Sequence, residues 1–70
     1  MSTVERGFLI LAILINKSSV KHPLSYAEIR QELFNVYNVK VSYHTIESAV
    51  NELSLALAIA EDDKGKVFVV

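Results

Sequence analysis

Eight consecutive residues, Phe8 to Ile15, read Phe-Leu-Ile-Leu-Ala-Ile-Leu-Ile with no polar position among them. The run is far short of the roughly 20 apolar residues that a bilayer-spanning helix needs, so its cover must come from protein. Periodicity cannot separate helix from strand in such a run. The flanking residues favour helix. Ser2-Thr3-Val4-Glu5 fits a capping box, with the Ser2 hydroxyl on the first-turn amides and Glu5 reaching back to the cap, and the Leu and Ala content of the run favours helix. A helix from about Thr3 to Asn16 is expected, weakened slightly by Gly7. A helix that is apolar on every side must be covered on every side. Two further helices and a small sheet are too little to do that in 70 residues. Part of this helix is therefore expected to be buried by a second copy of the chain, through Phe8, Leu9, Leu11, Ala12 and Ile15. The alternative is a deeply buried central helix in a monomer.

A chain of 70 residues makes one small domain, spanning 1–70. Cores of this size leave a small net stability, so such domains lean on staples or on a partner subunit. With no cysteine, neither a disulfide framework nor a thiolate metal site is open to it. That fits a reducing cytoplasm. No secretory leader pattern is present, so the expected location is cytoplasmic, with nucleoid association left open. Half of the residues are apolar, which excludes disorder by composition. The net charge is −1. Nucleic-acid binders usually carry a basic surplus, because phosphate contacts supply much of their affinity. Any basic footprint must here be local: Lys17, Lys21, His22 and Lys40 in the first part of the chain, Lys64 and Lys66 near the end. Glu61, Asp62 and Asp63 partly offset that last pair.

Asn16-Lys17-Ser18-Ser19 ends the first helix with polar residues of low helix propensity. Pro23 pushes His22 towards extended backbone, so a very short strand is expected around His22-Pro23-Leu24. Ser25-Tyr26-Ala27-Glu28 is a second capping box. The helix it opens, Tyr26 to about Tyr37, carries Ile29, Leu33, Val36 and Tyr37 on one stripe with Phe34 beside it. Glu28, Arg30, Gln31, Glu32 and Asn35 face outwards. Asn38 tolerates left-handed geometry and suits a helix stop. After the linker Val39-Lys40-Val41, Ser42 is a good N-cap for a third helix. Ile46, Ala49, Val50, Leu53 and Leu57 form its apolar stripe, and the helix is expected to reach Leu57 or Ala58. At about 100° per residue, His44, Ser48, Asn51 and Leu55 fall on the opposite side. This helix has one face for a core and one face of small polar groups, as the presented helix of a helix-turn-helix does. Asp62-Asp63-Lys64-Gly65 is turn chemistry, with Gly65 able to take positive φ. The Val- and Phe-bearing segments on either side predict an antiparallel hairpin.

Helix, short strand, helix, turn, helix, hairpin is an α+β order that resembles a winged helix over nearly the whole chain. The residues that carry the likeness are Leu24-Ser25-Tyr26-Ala27-Glu28-Ile29 with Leu33, then Val41-Ser42-Tyr43-His44-Thr45-Ile46 with Val50, Leu53 and Ile59. The pattern is similar to small prokaryotic, phage and archaeal-virus regulators. The resemblance implies a sequence-specific reader of double-stranded DNA that regulates transcription. Its recognition helix 43–57 would enter the major groove N-terminus first, with the hairpin 59–70 as wing. Tyr43, His44, Thr45, Ser48 and Asn51 would face the groove. Lys40, the Ser42 amide region, Lys64 and Lys66 would meet phosphates, which fixes position rather than sequence. A homodimer through the first helix would present two such helices to a two-fold site.

Two features depart from this pattern. The third helix has no Arg or Lys and carries Glu47 and Glu52, and Leu55 lies on its polar side. They point to a second reading, a winged helix used for protein–protein contact as an adaptor or complex subunit. Catalysis finds little support. His22 and His44 have no acidic partner at fixed spacing and no metal-ligand spacing, and no glycine-rich phosphate loop exists. No enzyme activity, cofactor, metal or small-molecule ligand is expected.

Overall fold

The computed structural model describes residues 3–56 and 59–70. Three helices, α1 (Thr3–Lys17), α2 (Tyr26–Tyr37) and α3 (Tyr43–Ala56), precede two strands, β1 (Ile59–Glu61) and β2 (Val67–Val69). This is an α+β layout with a C-terminal antiparallel hairpin. Two expectations, the Ser2 cap and the end of the third helix at Leu57 or Ala58, lie outside the described residues.

The helices close on one core: Ile10, Ile13 and Leu14 from α1, Ile29 and Leu33 from α2, Ile46, Ala49 and Val50 from α3, with Leu24 and Val67. Among the described residues, no polar or charged residue is buried with them. On α1, Ile10, Ile13 and Leu14 share one side at 3.6 residues per turn. The other side carries Val4, Phe8, Leu11 and Ile15, spaced 4, 3 and 4 residues apart. That side is covered only at Leu11, which is half-buried: Phe8 is 66% exposed and Ile15 60%.

Local hydrogen bonds set the boundaries of α2. The Ser25 hydroxyl accepts from the Glu28 amide at 3.1 Å, and the Glu28 carboxylate accepts from the Ser25 amide at 3.1 Å. Hydrogen bonds from Ser25, the backbone amide first, hold the Glu28 carboxyl below its ordinary value. At the far end Asn38 adopts φ 56°. Its amide donates to the Phe34 carbonyl and that of Val39 to the Leu33 carbonyl, each at 3.0 Å. The expected α2 stripe is covered only in part. Ile29 and Leu33 are fully buried, but Val36 is 59% exposed and Tyr37 is exposed at its edge. The neighbouring elements do not cover the last turn.

The expected strand near Pro23 is a single-residue bridge. Leu24 and Val67 exchange both backbone hydrogen bonds at 2.8 Å, so Leu24 extends the sheet beyond β2. Within the hairpin, Ile59 pairs with Val69, Ala60 with Phe68 and Glu61 with Val67. At the tip the Asp62 amide donates to the Lys66 carbonyl at 2.8 Å. The Asp62 carboxylate accepts from the amides of Lys64 and Lys66 at 2.9 and 2.8 Å. Gly65 completes the turn at φ 81°, a conformation that costs glycine little. The Ser18 hydroxyl donates to the Leu14 carbonyl and accepts from the Val69 amide at 3.2 Å, which ties the end of α1 to β2.

Candidate nucleic-acid interface

The inner face of α3 anchors it to the core, and this leaves the opposite face uncovered. His44, Ser48 and Asn51 are all exposed there, together with Glu47 and Glu52. Leu55, 89% exposed, lies on the same side. Ser42 caps the helix: its hydroxyl accepts from the Thr45 amide at 3.2 Å and shares a hydrogen bond with the Thr45 hydroxyl at 3.1 Å. Thr45 is half-buried, and its hydroxyl is engaged at the cap, which leaves His44, Ser48 and Asn51 as the open polar positions. The first turns of α1 and α2 carry Glu5 and Glu28, whereas the first turn of α3 carries no acid. Its positive helix end is not offset by a local carboxylate.

Helix packing supplies the cations that α3 lacks. Arg6, on α1, lines a shallow concavity with His44, Thr45, Ser48, Ala49 and Glu52. Beside the start of α3, a second concavity is lined by Arg30, Lys40, Phe34 and Tyr43, among others. The Arg30 guanidinium lies 5.5 Å from the centroid of the Tyr43 ring. The Lys40 ammonium lies 5.4 Å from that of Phe34. The N-terminal half of α3 is thus flanked by Arg6 on one side and by Arg30 and Lys40 on the other. Neither arginine is a candidate from sequence. Arg30 reads as an outward-facing charge on its own helix, and spacing within one helix carries no signal of what lies across a helix interface.

The remaining sequence candidates lie elsewhere. Lys64 and Lys66 sit at the hairpin tip, where their amides serve Asp62, and neither lines the two concavities beside α3. Lys66 lies near enough to Glu28 to help lower its pKa. Lys17 forms an ion pair with Glu32 at 3.7 Å, and Lys21 and His22 lie exposed in the loop. Of the α1 residues expected to meet a second copy, Phe8 and Ile15 are exposed, while Leu9, Leu11 and Ala12 are half-buried. Leu9 packs against the core. A mainly apolar groove runs between this side of α1 and α3, lined by Val4, Phe8, Leu11, Ala49, Leu53 and Ala56, with Gly7 and the charged Glu52 also in its lining.

Tyr26, at the start of α2, donates a hydrogen bond to the Glu61 carboxylate at 3.3 Å. Burial, and then the nearby Glu61 charge, raise its phenol above 10.0. Among the described residues no group of three His, Cys, Asp or Glu side chains could hold a metal. None of the described helices is long and apolar enough to cross a membrane. No family model matches the chain, and neither a curated protein nor a solved structure matches it.

Proposed function

We propose that this protein is a winged-helix reader of double-stranded DNA and acts inside the cell as a transcriptional regulator. In this reading α3 enters the major groove and the β1–β2 hairpin is the wing. One observation carries it: the exposed polar face of α3 is bracketed by three cations, Arg6, Arg30 and Lys40, in a chain whose net charge is −1. Asn51 can bond an adenine edge with two hydrogen bonds, and the Ser48 hydroxyl can serve several bases. His44, in the first turn, meets the groove early. Arg6 adds the side chain best suited to guanine or to the flanking phosphate. Occupancy is the mechanism: bound at a promoter, the protein blocks or recruits polymerase. The uncovered side of α1 seats a second copy, so that two α3 helices address a two-fold site.

Fluorescence anisotropy of labelled mixed-sequence duplexes tests this. Binding is expected at low salt and should weaken steeply as salt rises. About four phosphate contacts (Arg30, Lys40, Lys64 and Lys66) correspond to a slope of roughly −3.6 in log K against log salt. On a selected site, Asn51→Ala should cost about 1–3 kcal/mol of discrimination at one base pair. Absence of binding even at low salt overturns the reading. The protein-contact alternative then gains, supported by Leu55 standing almost fully exposed on a face that also carries Glu47 and Glu52.

A further inference from the structure

We propose that Arg30 and Lys40 form a preorganised clamp for a phosphate group in the concavity between α2 and the start of α3. The proposal rests on the DNA reading and names the chemistry of one part of that surface. Ala27, Arg30, Gln31, Phe34, Val39, Lys40 and Tyr43 line the concavity, and no carboxylate is among them. The acids that flank Arg30 in sequence are occupied elsewhere. Glu28 closes the Ser25 capping box and Glu32 pairs with Lys17. Positions two residues apart on a helix do not face each other. On α3, Glu47 lies one turn beyond Tyr43, and among the described residues it makes no ion pair with either cation. Gln31 donates to the Asn35 side chain at 3.0 Å, which leaves the two cations as the strong donors facing the space.

Each cation is held over an aromatic face, Arg30 over Tyr43 and Lys40 over Phe34. A long exposed side chain otherwise samples many rotamers, and fixing it on binding costs entropy. The rings restrict the two heads before a ligand arrives. A guanidinium and an ammonium lining one hollow with no carboxylate in it suit a phosphate: the guanidinium is a planar fork for two oxygens, the ammonium a compact point charge for a third. That phosphate could belong to a DNA backbone or be free in solution, and the test separates the two.

Two measurements are made on the full chain. DNA binding is compared across salt for the native protein, the double variant Arg30→Gln/Lys40→Gln and Phe34→Leu. In parallel, the Arg30 Nε–H signal is followed by NMR during titration with inorganic phosphate, against chloride at equal ionic strength. All three altered side chains are exposed, and thermal melting checks each variant's fold. If DNA is the source, the double variant loses about 1.8 from the salt slope, ~0.9 for each contact. Phe34→Leu keeps the slope but binds roughly 2- to 5-fold more weakly, the size of an exposed cation–π contact. If the native protein binds DNA and the double variant keeps the full slope, the clamp is overturned and the DNA reading stands. If Phe34→Leu binds as tightly as the native chain, the preorganisation is overturned. Should DNA not bind while phosphate shifts the Arg30 signal saturably, the clamp stands as a site for free phosphate and the DNA reading falls. Absence of both signals overturns both.

Discussion

Asp62 shows how much one short side chain does in this molecule. It opens the hairpin tip, and its carboxylate takes the amides of Lys64 and Lys66 that no strand partner reaches. Asp62→Ala should therefore lower stability by about 1.5–3 kcal/mol, the range for hydrogen bonds to a charged group; an unchanged melting temperature would refute that role. Tyr26 gives a pH signature. Its phenol is held above 10.0 by burial first and by the Glu61 charge second. A raised pKa favours the protonated form in the folded chain, so its stabilising contribution is present below 10.0 and is lost as pH rises through the higher folded value. Replacing Glu61 by Gln should bring the Tyr26 titration part of the way back, as followed by NMR of labelled tyrosine. Full return would show that charge alone sets the shift. The Asn38 stop and the Gly65 turn are readable from residue type, because both depend on backbone preference within a few residues.

The helices show where such local reading stops. The boundaries of α2 follow from a capping box at one end and Asn38 at the other, both local chemistry. Its apolar stripe was legible in direction but not in depth: Val36 shares the side of Ile29 and Leu33, yet the surrounding elements do not cover it. In α1 the same gap is larger. An octet apolar on every side demands cover all round, and one chain buries Ile10, Ile13 and Leu14, half-buries Leu9, Leu11 and Ala12, and leaves Phe8 and Ile15 exposed. Val4, Phe8, Leu11 and Ile15 then stand at alternating spacings of 4 and 3, the seam on which two helices interlock side chains. Phe8→Glu would place a charge in the middle of that seam and should convert a dimer into a monomer without unfolding it, since Phe8 is no part of the core. Light scattering across a wide concentration range checks this. A mass of one chain for the unaltered protein at every concentration would refute the dimer.

Across the whole molecule, charge is sorted rather than abundant. Seven Lys and Arg face eight Asp and Glu, which offers little general attraction for a polyanion. Several acids are engaged by other groups, Glu28 in a cap, Glu32 with Lys17, Glu61 with Tyr26 and Asp62 in the hairpin tip. Three cations flank α3, Arg6 on one side and Arg30 and Lys40 on the other. Sequence alone carried what depends on neighbours within about one helical turn: the three helices, the caps of α2 and α3, the left-handed stop, the turn and the hairpin, and which face of α3 points away from the core. Tertiary packing decided the rest. It brought Tyr26 to Glu61 across 35 residues and Ser18 to Val69 across 51, bridged Leu24 to Val67, bared one side of α1, and set Arg6 and Arg30 beside α3. The physical reason is that helical periodicity gives the direction in which a side chain points, whereas what it meets there depends on how separate elements cross.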